Sequence, residues 1–236
     1  MNVLPVLTCL LLTLAIASYS EEAKPTEPKV KALGDGNYSL GLIKFNENTR
    51  RISFPGEVNQ IEGVLEFALV HENGKLHESL LATKASALNL NVALKLLHFK
   101  ESPELFPALD ENFEKLDDAP IVSDETKAAA RLQILISWEK DGKKVEHPIN
   151  DLIYNLFKEK KMDPVPWVYQ GSYIHSNSFE AETSGDLVAI FITRSALINY
   201  PGNDNDIDEP WTPNAKLIPK NGTPVTITFA PLLDKK

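Results

Sequence analysis

Apolar and polar positions along the chain alternate in short blocks rather than in long helical stripes. In "LGLIKFNENTRRISFPG", residues 40–56, two short apolar segments flank the polar "NENTR", which predicts a hairpin from about Leu42 to Phe54, halted by Pro55-Gly56. "GVLEFALVHENGKLHESLLAT" repeats the pattern. Leu65, Phe67 and Leu69 share one parity and Glu66 and Ala68 the other, and Asn73-Gly74 tolerates the positive backbone angles of a tight turn. A second hairpin is therefore expected, its outgoing strand reaching about Leu81. "ARLQILISWEKDGKKVEH" gives a third around Asp141-Gly142, with Leu132, Ile134, Ile136 and Trp138 alternating. "WVYQGSYI", "FEAETSGDLVAIFI" and "TPVTITFAP" are further strand candidates, while "SALINYPGNDNDIDEPWTPN" reads as a loop or a short element and a loop.

Two segments carry helical spacing. In "KASALNLNVALKLLHF" Leu90, Leu94 and Leu97 fall on one face, and Ala87 and Ala93 allow close packing. "PINDLIYNLFKEK" begins at a proline suited to a first helical turn and aligns Ile149, Leu152, Ile153, Leu156 and Phe157. The stretch between Lys100 and Lys127 is polar, punctuated by proline and gives no long element. The expected fold is one α+β domain, residues 34–233: a mainly antiparallel sheet built from hairpins, with two principal covering helices.

Ahead of that domain the pattern changes. Residues 3–17, "VLPVLTCLLLTLAIA", carry no charge and precede the polar "SYSEEAKPTEPK". The apolar run is shorter than the roughly 20 residues of a membrane-spanning helix. It has the form of a signal peptide over residues 1–17, cut near Ser18, with an uncleaved N-terminal anchor as the alternative. Residues 18–33 read as a flexible polar stem. Cys9 is the single cysteine and lies inside the run, so cleavage would leave neither a disulfide nor a thiolate metal site. Export without cystines suits the bacterial periplasm or cell envelope.

The formal net charge of −9 argues against nucleic acid as a partner, since phosphate binding favours concentrated basic charge. It also gives no broad attraction to anionic lipid. No membrane span is expected after signal cleavage.

Several residues carry candidate chemistry. His77-Glu78-Ser79 places a base, an acid and a hydroxyl side by side. On an extended strand His77 and Ser79 would share a face while Glu78 points away, so the three do not form a triad as they stand. Ser79 would be a nucleophile only if His71 or His175 approached through the fold, and the chain has no "GxSxG" elbow. A polar recognition role for His77 and Ser79 is the simpler reading. "PVPWVYQGSYIHSNSF" adds Trp167, Tyr169 and Tyr173 as stacking surfaces and Gln170, Ser172 and His175 as polar contacts, though the same parity suits sheet packing. In "GNDNDIDEP", Asp204, Asp206 and Asp208 alternate with Glu209 adjacent. Such hard oxygen ligands would suit calcium, but the loop lacks EF-hand spacing and its central glycine. No other cofactor is expected.

The segment "GVLEFALVHENGKLHESLLAT", taken with "WVYQGSYI", "GDLVAIF", "LINYP" and "GTPVTITFAP", resembles the YdjY-like domain family over residues 39–233. Gly74, Lys75 and the run His77 to Leu81 are the most recognisable part, and Gly171-Ser172, Gly185 and Gly222 are later landmarks. The resemblance implies an exported bacterial protein and a domain boundary. It supplies no activity and no catalytic roles. The reading that follows is an uncharacterised exported envelope protein, a binding or structural domain whose partner is an envelope protein or a small polar ligand. A serine-dependent hydrolase built on Ser79 and a distant histidine, and a calcium-binding module, are the alternatives.

Overall fold

The computed structural model describes residues 29–110, 114–116 and 121–232. The proposed signal peptide and most of the proposed stem lie outside them. In chain order the elements are β1 (Lys31–Gly34), β2 (Asn37–Leu40), β3 (Ile43–Asn46), β4 (Arg51–Val58), β5 (Phe67–His71), β6 (Ser79–Thr83), α1 (Ala87–Leu96), α2 (Asp124–Ala130), β7 (Arg131–Lys140) and β8 (Lys143–Pro148). There follow β9 (Ile153–Asn155), β10 (Lys160–Lys161), β11 (Trp167–Tyr169), β12 (Ile174–His175), β13 (Ser178–Phe179), α3 (Glu180–Ser184), β14 (Asp186–Ala189), β15 (Ile198–Asn199), β16 (Trp211–Pro213) and β17 (Pro224–Pro231).

The expected α+β sheet with two covering helices is not what forms. The fold is mostly β, and its centre is a closed eight-stranded barrel. The staves run β4-β17-β7-β11-β15-β14-β5-β6 and return to β4 through the pairs Glu57↔Ala82 and Val58↔Leu81. Strands β1, β2 and β3 continue the sheet outward from β4 as a meander, and β8 pairs with β7. No local pattern announces closure, because it depends on one contact between strands distant in sequence.

The longest ladders follow the alternation. Ile227 of β17 sits opposite Ile136 of β7 on one side and Phe54 of β4 on the other. Leu132, Ile134, Ile136, Ile52, Phe54, Val225, Ile227 and Phe229 are all buried in one core, with Phe54 and Phe229 edge to face at 5.2 Å. The hairpins at "NENTR" and at Asp141-Gly142 form as expected, the latter with positive φ at both turn residues.

The Asn73-Gly74 hairpin does not form. β5 and β6 pair in parallel, Phe67 opposite Ser79 and Leu69 opposite Leu81. The chain turns at His71–Gly74 and travels back before β6 begins. β14 and β15 are likewise parallel, joined only by residues 190–197. Parallel neighbours ordinarily need about a dozen connecting residues or more, so both connections are unusually short.

Of the two expected helices, α1 forms. Ser86 caps it by accepting from the Asn89 amide at 3.2 Å, and Ala87, Leu90, Ala93 and Leu94 face the core. The segment after Pro148 does not continue as a helix. One 3₁₀ turn at Ile149–Leu152 leads directly into β9. Ile149, Leu152 and Ile153 are buried, but Leu156 and Phe157 point to solvent. The Asn150 amide donates to the Asp163 carbonyl and accepts from the Trp167 indole, which ties this segment down in extended form.

Gly56 marks the closure point. A Cβ there would lie 2.5 Å from Ile227 Cδ1 and 2.9 Å from the Ala82 carbonyl oxygen. Gly56→Ala is expected to destabilise the domain by about 1–3 kcal/mol through overpacking, read as a lower denaturation midpoint in urea with an unchanged slope.

Candidate functional site

One rim of the barrel gathers the ends of several staves. The segment after β4 supplies Asn59, Gln60 and Glu62; Glu66 precedes β5; His77 and Glu78 precede β6. Together they line an open groove of about 600 Å³. Its walls are held from behind by the backbone. The Glu66 amide donates to the Glu78 carbonyl at 3.0 Å, and the Asn59 amide donates to the Leu80 carbonyl at 2.9 Å. The Asn59 side chain donates to the carbonyls of Leu76 and Ser79 at 2.6 and 2.7 Å. Ile61, Val64 and Leu76 stand exposed along the same rim.

The groove is acidic. Glu66 is held above the usual glutamate range, first by burial, then by repulsion from Glu78 and Asp208; Lys75 and His77 oppose the shift. His77 Nε2 lies 3.5 Å from Glu78 Oε2, with the imidazole 80% exposed and the carboxylate 19% exposed. Two residues of the His77-Glu78-Ser79 run therefore open onto the groove, and the third does not. Ser79 is fully buried, and its hydroxyl donates to the Leu81 carbonyl at 3.0 Å. Among the described residues no hydrogen bond joins it to a histidine. His77 lies in a 3₁₀ turn, Leu76–Glu78, so the strand parity assumed for it starts only at Ser79.

The other sequence-derived candidates are dispersed. His71 accepts from the Asn73 amide through Nδ1 at 3.2 Å. Trp167 and Tyr169 are fully buried in the core, and the Tyr169 hydroxyl bonds Asn91 and, at 3.1 Å, Glu101. Burial and the neighbouring Glu101 raise its pKa. Gln170 accepts from the Asn199 amide at 3.0 Å, and Ser172 donates to the Ser195 carbonyl at 2.6 Å. Tyr173 and His175 sit exposed at the β12–β13 ribbon.

In the acidic loop, Asp204 is engaged by Lys158 at 2.5 Å and Asn155 at 3.0 Å. Asp206, Asp208 and Glu209 are exposed, and Asp208 acts at a distance on Glu66. Among the described residues no group of three or more histidine, cysteine or acidic side chains is arranged to hold a metal ion.

Sequence reasoning missed Asn59, Gln60, Glu62 and Glu66 because each is an ordinary polar residue at a strand end. A second, mostly apolar notch of about 290 Å³ opens where β4 passes from β3 to β6, beside Leu42, Pro55 and Ala82.

Compared with known proteins, residues 43–230 match the family model of the YdjY domain. No curated protein and no solved structure matches significantly.

The raised pKa of Glu66 fixes the sign of one pH effect. The folded chain holds that proton more tightly than the unfolded chain, so the residue's contribution falls as pH rises past the ordinary value of 4.5. Glu66→Gln is expected to raise Tm at neutral pH, with the gain shrinking below pH 4.5 where the wild-type carboxyl is neutral in both states. Calorimetry across pH checks this.

Proposed function

The chain belongs to the YdjY domain family, whose function is uncharacterised, and within it we propose an exported, non-catalytic binding domain that takes a cationic group, an amine or guanidinium, in the rim groove. The observation that carries the reading is that Glu62, Glu66 and Glu78 line one groove open to solvent, where burial and then repulsion from Glu78 disfavour the Glu66 charge. A bound cation relieves that repulsion and finds ready acceptors. The exposed Ile61, Val64 and Leu76 favour a ligand with an apolar arm beside its charge, such as a basic side chain presented by an envelope protein. Binding is favoured over the serine-hydrolase alternative because the Ser79 hydroxyl is buried and already donates to a carbonyl.

Export is supported by the uncharged run at residues 3–17 and by the lack of cysteine after it. Mass spectrometry of the chain purified from its native source is expected to show a start near Ser18. A mature chain retaining residues 1–17 in the cytosol would sink this part.

Arginine amide, titrated into isotopically labelled protein, is expected to give saturable NMR shifts confined to residues 59–66 and 76–78. The uncharged analogue Nα-acetylcitrulline amide should give none. The double variant Glu66→Gln/Glu78→Gln should lose the response. Shifts that are scattered, or that survive the double variant, would refute the groove as the site.

A further inference from the structure

The two short parallel connections meet at one carboxylate. Asp186 opens β14, and its side chain is 1% exposed. Lys75, from residues 72–78, places Nζ 3.2 Å from both Asp186 oxygens. Ser195, from residues 190–197, donates to Asp186 Oδ2 at 2.5 Å. Lys75 Nζ also stands 4.5 Å over the Phe67 ring. Phe67, Val70, Ala189 and Ala196 form an apolar cluster separate from the main core, contributed by β5, β14 and the second connection. Two residues beyond Lys75 the chain presents His77, and then Glu78, to the groove.

We propose that Lys75 is a positioning residue: its ion pair with Asp186 clamps the return loop of residues 72–78 to the barrel and sets where His77 and Glu78 stand at the rim. The ligand part of this inference rests on the groove reading; the clamp itself does not. The two ends of the loop are bonded to neighbouring strands, the Glu72 amide donating to the Thr83 carbonyl at 2.8 Å and the Glu78 carbonyl accepting from the Glu66 amide, while its middle is bonded locally. The Gly74 amide donates to the His71 carbonyl and the Leu76 amide to the Gly74 carbonyl. Gly74 packs closely on Gly185: a Cβ at Gly185 would lie 2.9 Å from Gly74 Cα, and one at Gly74 would lie 3.1–3.3 Å from three carbonyl oxygens. The Asn59 bond to the Leu76 carbonyl secures the far end. Between these points Lys75 is the side chain that reaches the second connection, by way of Asp186. The pair is also asymmetric. Asp186 is buried and depends on its cation, whereas Lys75 is 43% exposed and is readily solvated once released. Removing the carboxylate therefore frees the loop at little cost to the barrel, while removing the amine strands a buried charge.

Hydrogen exchange on the full chain tests the clamp. Asp186→Asn keeps the shape of the side chain and an acceptor for Ser195. It is expected to speed exchange at residues 72–78 on the order of tenfold, as suits the loss of one charge-assisted contact, and to leave the β7–β17 ladder unchanged. Lys75→Arg, whose fork spans both carboxylate oxygens, should retain slow exchange. Lys75→Met should lower the stability of the whole domain more than Asp186→Asn does. Arginine amide should bind Asp186→Asn more weakly than wild type. Wild-type exchange at 72–78 in Asp186→Asn, or acceleration spread equally over β7 and β17, would overturn the proposal. Failure of arginine amide to bind the wild type would sink the groove reading and leave the exchange result to decide the clamp.

Discussion

Two rungs between β4 and β6 turn an open sheet into a barrel, and much of the architecture answers to them. To close, β6 must run antiparallel to β4 beside its far end, where Glu57 and Val58 meet Ala82 and Leu81. β5 is the other neighbour of β6 and already has its direction fixed by β14. The only arrangement meeting both demands makes β5 and β6 parallel. The chain between them must then return along the strand it has just left, which places residues 72–78 over the barrel wall instead of at its end. Closure also settles Gly56: the inward position where three staves crowd together has no space for a Cβ.

The same geometry brings the groove into being. Parallel β5 and β6 begin at one rim, so the residues just before them, Glu66 and Glu78, become neighbours. In an antiparallel hairpin they would lie at different heights. β4 ends at that rim and delivers Asn59 and Gln60. The result is a set of carboxylates and amides fixed by backbone bonds behind them, a construction suited to holding a charged group in place. Ser79, one residue further along, has crossed into the wall and satisfies itself on Leu81. A shift of one residue thus separates the exposed acid and base from the buried hydroxyl.

The sequence carried most of the strands and little of their arrangement. Alternation revealed β4, β7 and β17 because each has one face on the core and enough length to show a period. The helical spacing of Ala87–Leu97 was also sound, since the whole face packs. The reading failed where local chemistry was overruled from a distance. Asn73-Gly74 is a turn, but the chain beyond it does not pair antiparallel with the chain before it. Ile149 to Phe157 has helical spacing, yet Asn150 is bonded to Asp163 and Trp167, and the apolar residues face opposite ways. Trp167 and Tyr169 suited either a stacking surface or sheet packing by their parity, and they are core, because their strand is covered on both faces. Of the candidate site, His77 and Glu78 were visible as an unusual polar run; Glu66 and Asn59 carried no signal until the rim assembled them.

The meander of β1, β2 and β3 shares β4 with the barrel but takes no part in closing it. That arrangement gives the two ends of the described structure different mechanical characters. Tension applied at residue 29 meets the β1–β2 ladder at its outer edge and peels it one pair at a time, then β2 from β3, before β3 is drawn from β4. Tension at residue 232 acts at once on β17, which is bonded along its length to both β4 and β7. The amino-terminal strands thus form an extensible spring in series with a stiff body, able to lengthen under load while the rim keeps its shape.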